Sequence, residues 1–164
     1  MHLVCLGVTR RLLLCWLKGP FNVRIGTNTI SELSNKLLCL IPNMPREFAR
    51  KPRSLSEVMR WKATEFRQFL LYAGPLVLKN IYYQKRSITI SFCSRLPLHY
   101  CLTIHCEQYC DYANDLLVTF VENVKVLYGD SMMVYNVHCL VHLANDVRIF
   151  GSLDNLQHFF LKML

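Results

Sequence analysis

The amino-acid sequence predicts a mainly α-helical protein with one domain over residues 1–164. Two apolar stripes at helical spacing support this prediction, one beginning at Ser54 and one following Asp111. The chain length suits a single hydrophobic core, and 52% of the residues are hydrophobic. Only residues 87–92 alternate in the manner of a strand, and no second run of that kind is obvious as a partner. A helical fold is therefore favoured over a sheet.

The N-terminal residues predict a buried helix over residues 2–17 that ends before Gly19. Arg10 and Arg11 divide its apolar run, whereas a secretory leader carries its charge ahead of that run. A membrane span needs about 20 mainly apolar residues, which the two arginines also argue against. A second, shorter helix is predicted over residues 30–40. We therefore expect no secretion and no membrane insertion, and a nuclear or cytoplasmic location.

The clearest predicted helix begins at Ser54, after an extended and basic stretch over residues 42–52 in which prolines limit helix formation. Ser54 and Glu57 have the spacing of a capping box. The helix is predicted to stop at Gly74, which a proline follows. Lys62 falls inside the apolar arc, so it either snorkels or meets a buried acid. The arc itself consists of Leu55, Val58, Met59, Ala63, Phe66, Phe69, Leu70 and Ala73.

The second half of the chain predicts two further helices behind an irregular segment near residues 82–104. One helix follows Asp111 and ends at Gly129, and the other covers residues 134–147. Eight cysteines are scattered along the chain. Without a secretion signal, we expect them to be reduced thiols rather than a disulfide framework.

Two groups of residues are candidate zinc ligands. His138 and His142 are four residues apart, a spacing that can hold zinc, but Cys139 stands where a zinc hydrolase has its glutamate. Core or hydrogen-bonded histidines are the favoured interpretation. Soft ligands that lack the paired C-x₂-C knuckles of structural zinc also occur at His105, Cys106 and Cys110. The sequence therefore predicts no metal ligands.

Positive charge is concentrated over residues 46–67, which carry a net +4 of the total +8. Such a concentration favours nucleic-acid phosphates as partners, although a solvated helix face is an equally favoured interpretation. Arg53, Arg60 and Arg67 follow one another at intervals of seven and are expected to share a helix face. The candidate nucleic-acid-binding residues are Arg46, Arg50, Lys51, Arg53, Arg60 and Arg67.

Four stretches of the sequence together resemble animal transposon-encoded proteins that are similar to the CACTA-type DDE transposases. The most specific stretch, residues 50–79, contains the ungapped string WKATEFRQFLLY. The others lie at residues 1–8, 127–147 and 149–155. The resemblance covers most of the chain. It implies the helical insertion region of an RNase H-like transposase, between the second catalytic aspartate and the catalytic glutamate.

The resemblance also implies phosphoryl chemistry by two divalent ions, Mg²⁺ in an intact member, held by two aspartates and a glutamate. Met1 and His2 match the end of the family's D-x-M-H motif, which would place the aspartate before this chain. The glutamate aligns at or near Leu161, and leucine cannot hold a hard cation. Residues 80–104 depart from the family and are interpreted as an out-of-frame stretch. We therefore expect a chain incomplete at both ends, with no catalytic residue, no metal site and no cofactor.

The sequence thus predicts a remnant or fragment of a DNA transposase that is catalytically inactive and binds DNA without sequence preference. The alternative is a non-enzymatic DNA-binding or protein-interaction module that the host has reused. A zinc-dependent hydrolase built on His138 and His142 is disfavoured because it lacks the general base. The expected partners are DNA, the remainder of a transposase, or another protein.

Overall fold

The computed structural model describes residues 3–79, 95–102 and 106–153, and these residues form helices and turns with no β-strand among them. The predicted mainly α class is therefore confirmed for the described chain. Contacts between Cα atoms group the chain into a first unit, His2–Ile88, and a second unit, Thr89–Leu164. The prediction of one domain stays a prediction. None of the described helices combines the length and apolar character needed to cross a bilayer.

The first unit is built from short helices. Leu3–Thr9 is π-helical and leads directly into the first α-helix, which confirms the predicted N-terminal helix. Two 3₁₀-helices cover Ile41–Asn43 and Leu55–Arg60. The described α-helices of this unit are α1 (Arg10–Lys18), α2 (Thr27–Cys39), α3 (Ala63–Gln68) and α4 (Gly74–Leu78).

The core of the first unit joins the N-terminal helix to α3. The stretch Leu3–Thr9 packs against α3, while α2 packs against the 3₁₀-helix Leu55–Arg60 and against α4. Trp61 lies at the centre of an aromatic group, with ring centroids 5.4 Å from Phe66 and 5.6 Å from Phe69. Burial of the N-terminal helix, which the sequence predicted, is carried by Val4, Val8, Leu12, Leu13 and Trp16.

The helix predicted to run unbroken from Ser54 begins where expected but is not continuous. Its first turns are a 3₁₀-helix, and Trp61 and Lys62 adopt extended backbone angles before α3 starts. The predicted capping box is also wrong, because the Ser54 Oγ accepts a hydrogen bond from the backbone N–H of Ser56. The 3₁₀-helix has three residues per turn, so Leu55 and Val58 share its buried side, whereas Met59 of the predicted apolar arc is exposed.

The predicted stop at Gly74 is wrong, because the helix continues through Pro75 to Leu78. A π-helical stretch, Phe69–Ala73, joins α3 to α4, and the Gly74 N–H donates to the carbonyl of Phe69 five residues back. A proline normally breaks a helix because its ring clashes with the carbonyl four residues earlier. The wider π turn changes that spacing and accommodates the ring.

The second unit has its own set of described helices. The longest is Cys110–Tyr128, and a 3₁₀-helix, Cys139–His142, interrupts the helix predicted over residues 134–147. Two more 3₁₀-helices cover Cys106–Tyr109 and Asp130–Met132. The α-helices are α5 (Arg95–Leu102), α6 (Cys110–Tyr128), α7 (Tyr135–His138) and α8 (Leu143–Phe150).

Helix α6 organises the second unit and ends as predicted. It packs against both α5 and α8, and Gly129 stops it with a φ of 77°. The segment near 82–104, predicted to be irregular, contains α5, so that prediction is wrong for Arg95–Leu102. Residues 82–94 and 103–104 lie outside the described residues. The buried face of α6 consists of Cys110, Ala113, Leu117, Phe120, Val121 and Val124.

Candidate nucleic-acid interface

A stretch without regular helix, residues 44–54, connects two 3₁₀-helices of the first unit and is called the basic segment here. Arg46, Arg50 and Lys51 lie within it, and all three side chains are exposed. The stretch that the sequence predicted over residues 42–52 is basic as expected, but it is not extended throughout, because it begins within the 3₁₀-helix Ile41–Asn43 and contains a turn at residues 46–47. Its three exposed cations fall within six consecutive residues.

Packing holds the basic segment at two places. The ring of Phe48 meets that of Tyr72 edge-on, with centroids 5.3 Å apart and planes at 73°. Beyond Lys51, Pro52 is buried, and the backbone N–H of Leu55 donates to the Ser34 Oγ over 3.2 Å. The segment between these contacts is therefore tied to the helical core at both ends.

Arg53 is held by a buried carboxylate. Its Nε lies 2.7 Å from the Oε1 of Glu65, whose side chain is 2% exposed, and its Nη2 donates to Oε2 over 3.4 Å. The Nε–Oε1 contact is an ion pair whose direction falls short of hydrogen-bond alignment. Oε2 also accepts from the backbone N–H of Lys62 over 2.7 Å. Arg53, a predicted phosphate ligand, is thus charge-neutralised within the fold.

The same carboxylate explains how α3 begins. Glu65 is the third residue of α3 and receives the N–H of Lys62 at the N-cap, which is the carboxylate half of a capping box. The lysine side chain has no acceptor atom and cannot supply the other half. Lys62 is exposed. The buried acid considered for it is present nearby, but the side chain that pairs with this acid is Arg53.

The spacing of Arg53, Arg60 and Arg67 predicted that they share one helix face, and this prediction is wrong. The 3₁₀-helix containing Arg60 has three residues per turn, and the extended residues before α3 interrupt the register further. Arg60 is exposed, whereas Arg67 is half-buried. Arg67 belongs instead to the lining of a cleft.

This cleft, called the Arg67 cleft here, has a volume of about 280 Å³ and lies between α3 and the basic segment. Residues 47–50 form one wall. The other wall carries Thr64, Arg67, Gln68 and Tyr72, which recur at helical spacing on one face. The cleft therefore combines two arginines, a hydroxyl, an amide and two aromatic rings, with Glu47 as an opposing charge.

The two candidate zinc-binding histidines, His138 and His142, both lie on the surface. Both are exposed, so the interpretation as core histidines is wrong, while the alternative of hydrogen-bonded histidines stays a prediction; their ring centroids are 5.6 Å apart. Cys110 is buried, while His105 lies outside the described residues. Within the described ranges, no three His, Cys, Asp or Glu side chains come together to hold a metal ion. The free cysteines of the described chain include Cys5, Cys15, Cys39, Cys101, Cys110 and Cys139.

The sequence did not reveal Glu65 as the partner of Arg53, nor the Arg67 cleft. One available signal was the position of Glu65 three residues after Lys62, which is the spacing of a capping box. No local signal pointed to the contact between Phe48 and Tyr72, because it depends on how the basic segment packs across α3. Comparison of the chain with protein-family models, curated proteins and solved structures yields no match.

Proposed function

We propose that the first unit is a non-catalytic nucleic-acid-binding module that contacts phosphates without reading sequence. The observation that carries this proposal is the placement of Arg50 and Lys51, which are exposed between the anchored residues Phe48 and Arg53, with the exposed Arg46 just before them. Lysine and arginine release counterions from a nucleic acid when they contact its phosphates. An anchored segment also loses less conformational entropy on binding than a flexible one.

The number of available cations sets the expected salt dependence. Arg53 is neutralised by Glu65, so we assign phosphate contact to Arg46, Arg50, Lys51 and the exposed Arg60. Four contacts to a duplex correspond to a slope of about −3.6 for log affinity against log salt concentration. Sequence preference should be small, because contacts to phosphate position a protein but carry no base information.

We further propose that this module derives from a transposase-like protein, as the resemblance of residues 50–79 implies. The two-metal chemistry of that family needs carboxylates, and the described residues do not fit it, because no three metal-ligating side chains converge there. Met1, His2 and Leu161, which align with the family's catalytic motifs, lie outside the described residues. The resemblance makes DNA, rather than another polyanion, the preferred partner for testing.

Fluorescence anisotropy with a labelled duplex tests the proposal. Binding at low salt should saturate, and its salt dependence should have a slope of about −3.6. The triple variant Arg46→Gln, Arg50→Gln, Lys51→Gln should reduce that slope to about −0.9 and leave helicity unchanged. Arg53 is kept in this variant because its removal would disturb the fold.

A matched control removes three cations of the same unit outside the basic segment. The residues are Lys18, Arg24 and Lys79, all exposed, each replaced by Gln. This control should retain most of the binding. Absence of saturable binding by the folded protein at tens of micromolar, or equal loss in both triple variants, would overturn the proposal.

A further inference from the structure

The Arg67 cleft has aromatic and polar side chains beside its arginines. We infer that it accommodates an unpaired nucleotide of a single-stranded nucleic acid. In this arrangement the base stacks on Tyr72 and the adjoining phosphate lies against Arg50 and Arg67. This inference rests on the proposed nucleic-acid binding and names the form of nucleic acid that the first unit prefers.

The aromatic part of the cleft provides a surface for a base. Tyr72 is 53% exposed although its neighbours Leu71 and Ala73 are 3% exposed. Phe48 supports the ring from the edge, at a centroid distance of 5.3 Å. Stacking on a tyrosine ring stabilises any base, since every base has a π-face. A ring held in place by a neighbour can bind a base without first being ordered.

The charged part of the cleft lies beside this ring. Arg50 and Arg67 contribute positive charge on opposite walls, and Glu47 opposes them, so the lining carries a net charge of +1. That balance suits one phosphate rather than a highly charged ligand. The variant Glu47→Gln should therefore strengthen binding of a single strand, because it removes the repulsion between the Glu47 carboxylate and the phosphate.

The cleft also holds polar groups that can meet the edge of a base. Gln68 is only 4% exposed, and its Nε2 donates to the thioether of Met44 over 4.0 Å. Sulfur is a weak acceptor, so a carbonyl or ring nitrogen of a base would be a better partner for this amide. Thr64 adds a hydroxyl to the same wall.

The size of the cleft favours a single strand over a duplex. Its volume of about 280 Å³ is at the lower limit of small-ligand pockets. A paired base inside a duplex has its faces covered by its neighbours and cannot stack on Tyr72. A duplex can therefore use the exposed cations of the basic segment but not the Arg67 cleft.

Anisotropy titrations with the full chain test this inference. The probes are a twelve-nucleotide dT strand, the corresponding rU strand and a twelve-base-pair duplex with the same label, all at one salt concentration. The single strands should bind about tenfold more tightly than the duplex, which is the lower part of the range for stacking one base. The dT and rU strands differ in the sugar and in the 5-methyl group of the base, and both should bind, because stacking requires only the π-face of a base.

Variants at Tyr72 separate stacking from charge. Tyr72→Ala should lower the ratio of single-strand to duplex affinity about tenfold, whereas Tyr72→Phe, which keeps the ring that holds Phe48, should retain both wild-type affinities. Tyr112, which is 52% exposed in the second unit, provides the control, and Tyr112→Ala should change neither affinity. The wild-type ratio of single-strand to duplex affinity gives a test that needs no variant.

The outcomes distinguish this inference from the proposed function. Equal affinity of the wild-type chain for single strands and duplex would overturn the inference and leave phosphate binding intact. Absence of binding to all three probes would overturn both. Loss of single-strand affinity in Tyr72→Phe as large as in Tyr72→Ala would point to the hydroxyl and overturn the stacking argument.

Discussion

Arg53 and Glu65 form an ion pair that links the basic segment to the start of α3, with the Arg53 Nε 2.7 Å from the Glu65 Oε1. The Glu65 side chain is almost fully buried, and the Arg53 side chain is 33% exposed. The pair therefore fixes the end of the basic segment and leaves the cations that precede it exposed. It also removes Arg53 from the set of residues available to phosphate.

Replacing Arg53 should destabilise the fold substantially. The variant Arg53→Met leaves the Glu65 carboxylate buried without its cation, and we expect a loss of about 3 kcal/mol in the free energy of unfolding, since breaking a buried pair is costly. Urea denaturation followed by circular dichroism measures the change. Lys36→Met is the control, because it removes an exposed pair of 2.6 Å with Glu32, and should cost less than about 0.5 kcal/mol. Similar losses in both variants would contradict the prediction.

Gly129 should not tolerate a side chain. Its φ of 77° and ψ of 177° lie in a region that is almost restricted to glycine. No heavy atom lies within 4 Å of an added Cβ, so the cost of Gly129→Ala is backbone strain of about 1–3 kcal/mol. Thermal unfolding measures it. Gly26→Ser is the control, because Gly26 has a φ of −63° at the N-cap of α2, where serine is preferred; destabilisation of both variants alike would contradict the argument.

The buried and exposed cysteines should differ in reactivity. Burial raises the pKa of the Cys5 thiol from 9.0 to about 11, so Cys5 should remain protonated and unmodified by iodoacetamide at pH 8. Cys39 is exposed and should react first, as peptide mapping by mass spectrometry would show. The Cys5 thiol ionises at a lower pH in the unfolded chain than in the folded protein. The free energy of unfolding should therefore fall as pH rises from 9 to 11. Equal modification of both cysteines in the folded chain would refute the assignment.

The chain should not cleave or join DNA. The resemblance aligns the catalytic glutamate of the transposases at or near Leu161, and leucine supplies no oxygen ligand for a divalent ion. Incubation of the purified chain with supercoiled plasmid and Mg²⁺ or Mn²⁺ should therefore leave the plasmid intact. Nicking that co-purifies with the chain and stops on chelation would show the prediction to be wrong.

The purified chain should contain far less than one equivalent of zinc. The exposed imidazoles of His138 and His142 offer only two ligands, and a structural zinc site has four. Elemental analysis after dialysis provides the measurement. A stoichiometric zinc content that is lost together with helicity on chelation would instead indicate a site that includes residues such as His105.

The sequence by itself determined the helical class, the approximate positions of the N-terminal helix, α2 and α6, and the end of α6 at Gly129. These features depend on apolar periodicity and on glycine conformation, which operate over a few neighbouring residues. The same local information was insufficient at Pro75, where a π turn upstream allows the helix to continue. It also did not indicate the extended residues that divide the helix predicted from Ser54.

Only the tertiary structure decided which charged and aromatic side chains are available for binding. Arg53 and Glu65 are 12 residues apart, and Phe48 reaches Tyr72 from the opposite wall of the Arg67 cleft. The composition of the basic segment gives its charge but not the pairing that neutralises one arginine and leaves others exposed. That distinction depends on desolvation of one carboxylate and on packing across α3, which are properties of the folded chain.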